Sequence, residues 1–368
     1  MRILYDHQCF TNDRIGGISK YFYKLMDQFS ADQDLEIDVA GKFSNNLYAL
    51  QLNGKMNFSK FFPDQDFRGQ RRILKILNKR QAVNQLRKGQ FDIFHPTYYN
   101  PYFLDHVGDK KMVLTVHDMI YEIFGMKERY SSYSMLEAKK ELIRRSDKVI
   151  AISASTKRDI LRFIQVPHEK IEVIYHGVER ETKTYPEDFL KLPAARFFLF
   201  VGKREGYKNF SFMLDSIAPL LRECGAGLIC AGGGVFSRDE VIQIERLRLK
   251  QQVHFFPSLS DDQLSFLYQK AIALIYPSLY EGFGMPLLEA ARNKCPVISS
   301  NSSSLPEVGG DAVLYFNAGD ADGLLKSAED VFYEPALRDE LIQKGLSRAN
   351  EFGWDRTFEQ TKSLYRSL

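Results

Sequence analysis

The sequence predicts an α/β protein of two domains, each a parallel sheet covered by helices on both faces. Three observations carry that expectation. The chain has 368 residues, more than one hydrophobic core usually organises. Short apolar runs alternate with longer amphipathic stretches, without blocks of consecutive strands. The rhythm runs through twice, and the charged stretch 179–193, with Pro186 and Pro193, divides the two series as a linker.

The elements follow in order. In the first half strands are expected at 2–5, 36–40, 91–95, 112–117, 148–153 and 171–175, several of them ending in Ser, His or Pro. In the second half they are expected at 197–201, 227–231, 253–256, 272–276, 296–299 and 312–316. Helical spacing fills the intervals, for example at 132–145, 209–222, 261–269 and 286–293. After Phe316 the pattern is helical to the end, closing on a helix at 354–367.

Bulk properties narrow the function. A hydrophobic share of 44% and a charged share of 26% are ordinary for a globular protein. A net charge of +3 is too small to argue for a nucleic-acid partner, and none is expected. Cys9, Cys224, Cys230 and Cys295 form no CxxC pair, so they read as reduced and mostly buried. No HExxH or CxxC metal pattern appears, and no metal is expected. The opening MRILYDHQCF lacks an apolar run of signal length, and no run reaches membrane-span length. The expected location is therefore cytoplasmic.

Open parallel sheets bind ligands outside the carboxyl ends of their strands. Two such domains facing each other place a cleft between them, so candidate residues are sought just after strands. The segment EGFGMPLLEA at 281–290 is the most informative of these. Glu281 follows the strand at 272–276 and a Pro277–Ser278 turn, and Glu289 lies eight positions later. Gly282 and Gly284 leave the backbone free to approach a ligand, while Pro286 suits the first turn of a helix. A helix start presents unpaired N–H groups and a positive dipole end, a good seat for a diphosphate. The two carboxylates then suit sugar hydroxyls at one end of the ligand and ribose hydroxyls at the other. The plain reading of the same residues is a helix cap and a solvated helix face.

This segment resembles the EX7E signature of retaining glycosyltransferases with the GT-B fold, especially glycosyltransferase family 4. The resemblance covers essentially the whole chain. VHFFPSLSDDQL at 253–264 precedes the signature, while PVIS at 296–299 and SLPEV at 304–308 follow it in family order. Residues 2–22 resemble bacterial polysaccharide mannosyltransferase-like members. The resemblance implies two Rossmann-like, doubly wound domains facing across an interdomain cleft. It gives residues 1–180 to the acceptor and 190–353 to the nucleotide sugar, and packs the terminal helix 354–368 back on the first domain.

Further candidates gain meaning beside it. In FVGKREGYKN at 200–209, Lys203, Arg204 and Lys208 cluster after a strand and a Gly turn. Positive charge there can meet negative charge developing on a phosphate leaving group. Lys208 matches the family's second cation, while Lys203 and Arg204 compete for the first. In IGGIS at 15–19, Gly16 and Gly17 can bring backbone N–H groups to a phosphate, or form a simple turn. His117, in VHD at 116–118, matches the family's active-site His; Asp118 orients it or caps the next segment. The donor set is completed by Gly232, Gly233, Phe283, Gly284, Met285, Pro286, Leu287 and Glu289. His95, Tyr98, Tyr99, Asp118 and Tyr121 are candidates for the acceptor pocket. CAGGGVFS at 230–237 nearly spells a dinucleotide fingerprint, but Ser237 replaces its third glycine and no acid ends the next strand. Residues 68–90 carry eight cations and no acid, with apolar residues at helical spacing. They suit an anionic membrane surface or a helix packed on its own domain.

The implied activity is retaining, metal-independent transfer of a hexosyl unit to a glycan or lipid-linked oligosaccharide in bacterial surface polysaccharide synthesis. GDP-mannose is the expected donor, as co-substrate and not as cofactor. A UDP-sugar-dependent transferase, and a nucleotide-sugar hydrolase or epimerase on the same fold, stand as alternatives.

Overall fold

A computed structural model describes residues 1–12, 14–52, 58–62, 67–125, 132–179, 183–204 and 206–368, and of residues 132–134 the backbone only. Residues 1–176 and 354–368 form one compact unit and 177–353 the other.

The first unit contains β1 (Arg2–Asp6), β2 (Glu36–Ala40), β3 (Phe43–Ser44), β4 (Ser59–Lys60), β5 (Ile93–His95), β6 (Lys111–Val116), β7 (Lys148–Ala151) and β8 (Ile171–Val173). Six of them form a parallel sheet in the order β2-β1-β5-β6-β7-β8, and β3 pairs with β4 separately. The second unit contains β9 (Phe197–Val201), β10 (Gly227–Ala231), β11 (Val253–Phe256), β12 (Leu274–Tyr276), β13 (Val297–Ser300) and β14 (Val313–Phe316). Its parallel sheet runs β11-β10-β9-β12-β13-β14.

The inner strands of the two six-stranded sheets alternate side chains between two cores, as a sheet covered on both faces requires. In β9, Phe198 and Phe200 join one cluster with Cys230, Ile275 and Ile298. Phe197 and Leu199 join the opposite one with Ile229, Leu274 and Val297. In β1, Ile3 and Tyr5 pack on one side and Leu4 on the other.

Strand ends differ from the expected ones for local reasons. β6 stops at Val116 because the His117 N–H donates to the Tyr99 hydroxyl at 3.0 Å. β7 stops at Ala151 because Ser153 caps the helix Ala154–Phe163, its Oγ accepting the Thr156 N–H at 2.9 Å. β13 starts after Pro296, which has no N–H for the ladder. The terminal helix Trp354–Arg366 lies on the first unit. Phe358 packs on Phe29 at 4.7 Å, and the Tyr5 and Tyr365 hydroxyls share a hydrogen bond of 2.8 Å.

Of the stretch expected as a linker, 180–182 lie outside the described residues. The remainder runs along the second unit: Lys183 pairs with Asp262 at 2.8 Å, and Lys270 with Glu187 at 2.6 Å. Tyr185 and Phe189 both face Phe266.

Candidate functional site

The second sheet reverses its strand order between β9 and β12. Ligands of such sheets bind there, outside the carboxyl ends of the strands. Gly202, Lys203, Arg204 and the turn Gly206–Lys208 follow β9, while Pro277 to Glu281 follow β12. The Leu279 N–H ties the two loops by donating to the Tyr207 carbonyl at 2.8 Å. Lys208 Nζ donates to Glu281 Oε1 at 2.7 Å and to the Tyr276 hydroxyl at 2.9 Å. The Lys208 and Glu281 side chains are only 15% and 10% exposed, so their attraction is poorly screened. Burial, and next the Glu281 charge, push the Tyr276 phenol well above its ordinary pKa, so it stays a neutral hydroxyl.

The Glu281 backbone is pinned by two serines. Its N–H donates to Ser303 Oγ at 2.8 Å, and its carbonyl accepts from the Ser303 and Ser304 hydroxyls at 3.1 and 2.9 Å. Gly284 precedes the helix Met285–Arg292 with φ +102°, and a Cβ there would meet Leu305 Cδ2 at 2.7 Å. Only glycine fits this corner. Glu289 is half-buried and accepts from the Tyr268 hydroxyl at 3.4 Å.

Several expectations are corrected here. Arg204 is buried, with Nε donating to Glu240 at 2.8 Å, Nη1 to the Gly232 carbonyl at 2.8 Å, and Nη2 to the Gly234 and Val235 carbonyls at 3.0 and 2.9 Å. It braces the loop after β10 and does not present its cation to a ligand. Lys203 is exposed and, among the described residues, pairs with no carboxylate, so it is the cation of this loop left open to a ligand. Phe283 and Leu287 turn their side chains into the core. The Leu287 N–H donates to the Gly284 carbonyl at 3.0 Å and Pro286 has no N–H, so the helix start offers fewer donors than its sequence suggests. Met285 and Pro286 are half-buried beside it.

Gly232, Gly233 and Gly234 have φ of +91°, +76° and +74°, a run that side chains rarely adopt. A Cβ on Gly233 would lie 2.8 Å from Arg204 Nη1, whereas one on Gly234 meets nothing within 4 Å. Gly234→Ala is therefore expected to destabilise the second unit by about 1 kcal/mol, and Gly233→Ala by at least about twice that. Urea unfolding of the pair checks it; equal losses would show that Arg204 does not hold the loop.

In the first unit Gly16, in extended backbone, precedes the helix Gly17–Phe29, and no side-chain cap is seen among the described residues. A short helix, Gln8–Asn12, separates it from β1. His117 lies just beyond β6, buried between Tyr21 at 5.3 Å and His176 at 5.9 Å, and its Nε2 has no hydrogen-bond partner among the described residues. Burial above all, then the charges that His176, His95 and Lys139 would carry, hold its pKa well below the ordinary value. The ring is neutral.

Four of the five acceptor candidates, Tyr98, Tyr99, Asp118 and Tyr121, line one small pocket together with Lys139. Lys139 is buried against Glu122 at 3.1 Å, and Asp118 accepts the Ile120 N–H at 3.1 Å. The fifth, His95, does not belong with them. It is fully buried, with Nδ1 bonded to the Tyr365 hydroxyl at 2.6 Å and Nε2 to Thr115 Oγ1 at 2.9 Å. Both ring nitrogens are engaged inside the core, and burial pushes the pKa down to about 3.

Some residues escaped the sequence reading. Tyr276, Ser303 and Ser304 shape the Glu281 loop. Asp6, at the point where the first sheet reverses between β1 and β5, is fully buried. It accepts from the Thr97 N–H and hydroxyl at 2.9 and 2.6 Å, from Gln8 Nε2 at 2.6 Å and from the Tyr102 hydroxyl at 3.2 Å. An acid directly after an apolar strand was the available signal.

Comparison with known proteins agrees in both halves. Residues 15–182 match the family model "Glycosyltransferase Family 4", and 182–348 match "Glycosyl transferases group 1". The chain is 27% identical over 308 residues to O-antigen chain mannosyltransferase B of Escherichia coli, covering 80% of this chain and 79% of that one. It is 27% identical over 271 residues to O-antigen chain mannosyltransferase RfbU of Salmonella typhimurium, covering 70% and 72%. Among solved structures, Anabaena Alr3699/HepE in complex with UDP and glucose aligns over 100% of both chains, with TM-score 0.77 and 17% identity.

Proposed function

The chain is a glycosyltransferase of the GT-B architecture, its first half matching family 4 and its second group 1; from that premise we propose that it moves a hexosyl unit, mannosyl from GDP-mannose, to a glycan or lipid-linked oligosaccharide of a bacterial surface polysaccharide, retaining the anomeric configuration. One observation carries the reading. A shielded Lys208–Glu281 pair stands at the strand-order reversal of the second sheet, and the same loop carries the exposed Lys203, which pairs with no carboxylate among the described residues. Two mannosyltransferases among the relatives, both named for O-antigen, support the choice of sugar and product.

The residues divide the task by their chemistry. Lys208 and Lys203 supply positive charge where the diphosphate departs, in the place a metal ion would otherwise take. Glu281, held by Ser303 and Ser304, accepts hydrogen bonds from sugar hydroxyls and orients the donor. Glu289 accepts from the ribose. Gly16 and Gly17 offer N–H groups at an uncapped helix start, and neutral His117 offers a ring nitrogen to the reacting sugar. The bond between the anomeric carbon and the phosphate oxygen breaks, and its electron pair leaves with the diphosphate. The acceptor hydroxyl bonds to that carbon from the same face, and its proton passes to the departing phosphate oxygen.

The test offers GDP-mannose and the common UDP-sugars to the protein in EDTA, with and without mannosylated acceptors. GDP release that needs the acceptor, with an α-linked product from the α-linked donor, is expected. Release at the full rate without acceptor would make the protein a hydrolase. Interconversion of the donor would make it an epimerase, and turnover of UDP-sugars alone would replace the donor.

A further inference from the structure

The loop after β5 is held by two side chains that follow β1. The ladder between these strands ends at Tyr5 and His95, and Pro96 has no N–H to extend it. The Asp6 carboxylate takes over there. Its Oδ1 accepts the Thr97 N–H at 2.9 Å and the Thr97 hydroxyl at 2.6 Å. Gln8 holds Asn100 in both directions: its Oε1 accepts the Asn100 N–H at 2.9 Å, and its Nε2 donates to the Asn100 carbonyl at 3.1 Å. Residues 97–100 thus form an arch pinned at each foot, with Tyr98 and Tyr99 between.

The two clamps are one device. Gln8 Nε2 also donates to Asp6 Oδ2 at 2.6 Å. A carboxylate only accepts, so Asp6 fixes which end of the Gln8 amide faces it and leaves Oε1 for the Asn100 N–H. Asp6 is fully buried and, among the described residues, forms no ion pair. Burying a charge on neutral donors alone costs stability, which an amide of the same shape would avoid. Such an amide, with its oxygen kept on Thr97, would turn its own N–H groups towards Gln8 and reverse it. The arch carries residues of interest for transfer. Tyr98 and Tyr99 line the small pocket with Asp118, Tyr121 and Lys139. The Tyr99 hydroxyl accepts the His117 N–H at 3.0 Å and fixes where the chain leaves β6. Contacts therefore run from Asp6 and Gln8 through the arch to the backbone of His117.

We propose that Asp6 and Gln8 are positioning residues for glycosyl transfer: they set the arch 97–100 so that Tyr98 and Tyr99 shape the acceptor pocket and Tyr99 places His117. The inference rests on the role given to His117 and on that pocket receiving the acceptor. Amide hydrogen exchange of the ligand-free protein, parent against Gln8→Met, tests the clamp. Methionine fills a similar volume and makes neither amide bond. Exchange at 97–100 and at the His117 amide is expected to quicken about tenfold, the effect of one lost hydrogen bond, with β1 and β6 unchanged. In the transfer assay the KM for the acceptor is expected to rise about tenfold while the KM for the donor stays within about twofold. A smaller active fraction would lower kcat and move neither KM, so unchanged KM values overturn the proposal, as does an unchanged His117 amide. Asp6→Asn should act like Gln8→Met, and the two together no more strongly than either, since one reverses the amide that the other removes. Effects that multiply overturn the claim of one device; should Asp6→Asn not fold, Gln8→Met alone decides. The exchange arm uses no sugar, so a parent that transfers nothing contradicts the proposed reaction and leaves the His117 amide to judge the clamp.

Discussion

Lys208→Ala is expected to lower turnover by about 10²- to 10³-fold, the usual effect of removing one group that meets developing charge. The same change leaves Glu281 in a shielded place without its cation, since the two side chains lie 2.7 Å apart and are only 15% and 10% exposed. A loss of about 1–3 kcal/mol in stability should therefore accompany the loss of activity. The double variant Lys208→Met/Glu281→Gln separates the two effects. It removes both charges, so stability is expected to return towards that of the parent while turnover stays low. Urea unfolding and an acceptor-dependent transfer assay on the same three proteins check it. Full activity in Lys208→Ala would remove this pair from the chemistry.

Acid is expected to unfold the first unit well before the pH at which carboxylates are protonated. His95, His117 and His176 are buried around Tyr21 and Thr115. Burial pushes His95 and His176 down to about 3 and holds His117 well below the ordinary value. In the unfolded chain each titrates near about 6.5. Above that pH both states are neutral, and the contribution to stability is complete. As pH falls, the unfolded chain takes up protons that the folded unit refuses, so stability is lost from about 6.5 down towards about 3. Each ring contributes a slope of about 1.4 kcal/mol per pH unit, so the three together remove about 4 kcal/mol between pH 7.5 and 5.5. That is a large part of the 5–15 kcal/mol typical of a domain. Urea unfolding at the two pH values measures it, and equal stabilities would show that the rings are solvated. His95→Gln should remove about a third of the slope.

Much of the fold was legible because parallel strands announce themselves. The run FFLFV at 197–201 is apolar at every position, which only a strand buried on both faces accepts, and β9 has the same limits as the expected strand. The residues around Glu281 were legible for a related reason. Proline and glycine mark places where backbone geometry is demanding, and Gly284 proves to be such a corner. What stayed hidden depends on neighbours distant in the chain. Nothing local tells that the carbonyls of Gly232, Gly234 and Val235 and the Glu240 carboxylate engage Arg204 while Lys203 is exposed. Nothing local tells that His95 ends against Tyr365, 270 positions away. A histidine at a strand end looks the same whether it faces a ligand or a core. The helix Gln70–Lys88 left two readings open in the sequence, and neighbours decide its faces: Leu74, Ala82 and Leu86 turn inward with Gln70 and Asn78, while Ile73 and Ile76 stay exposed.

The claim on which the rest depends is that the Lys208–Glu281 site grips a nucleoside diphosphate. Thermal shift with GDP, UDP and ADP, on the parent and on Lys208→Met/Glu281→Gln, measures this directly. One nucleoside diphosphate, expected to be GDP, should raise the melting temperature of the parent by several degrees, as binding to the folded state alone requires, and should leave the double variant unmoved. An equal shift in both proteins, or no shift with any of the three, would contradict it.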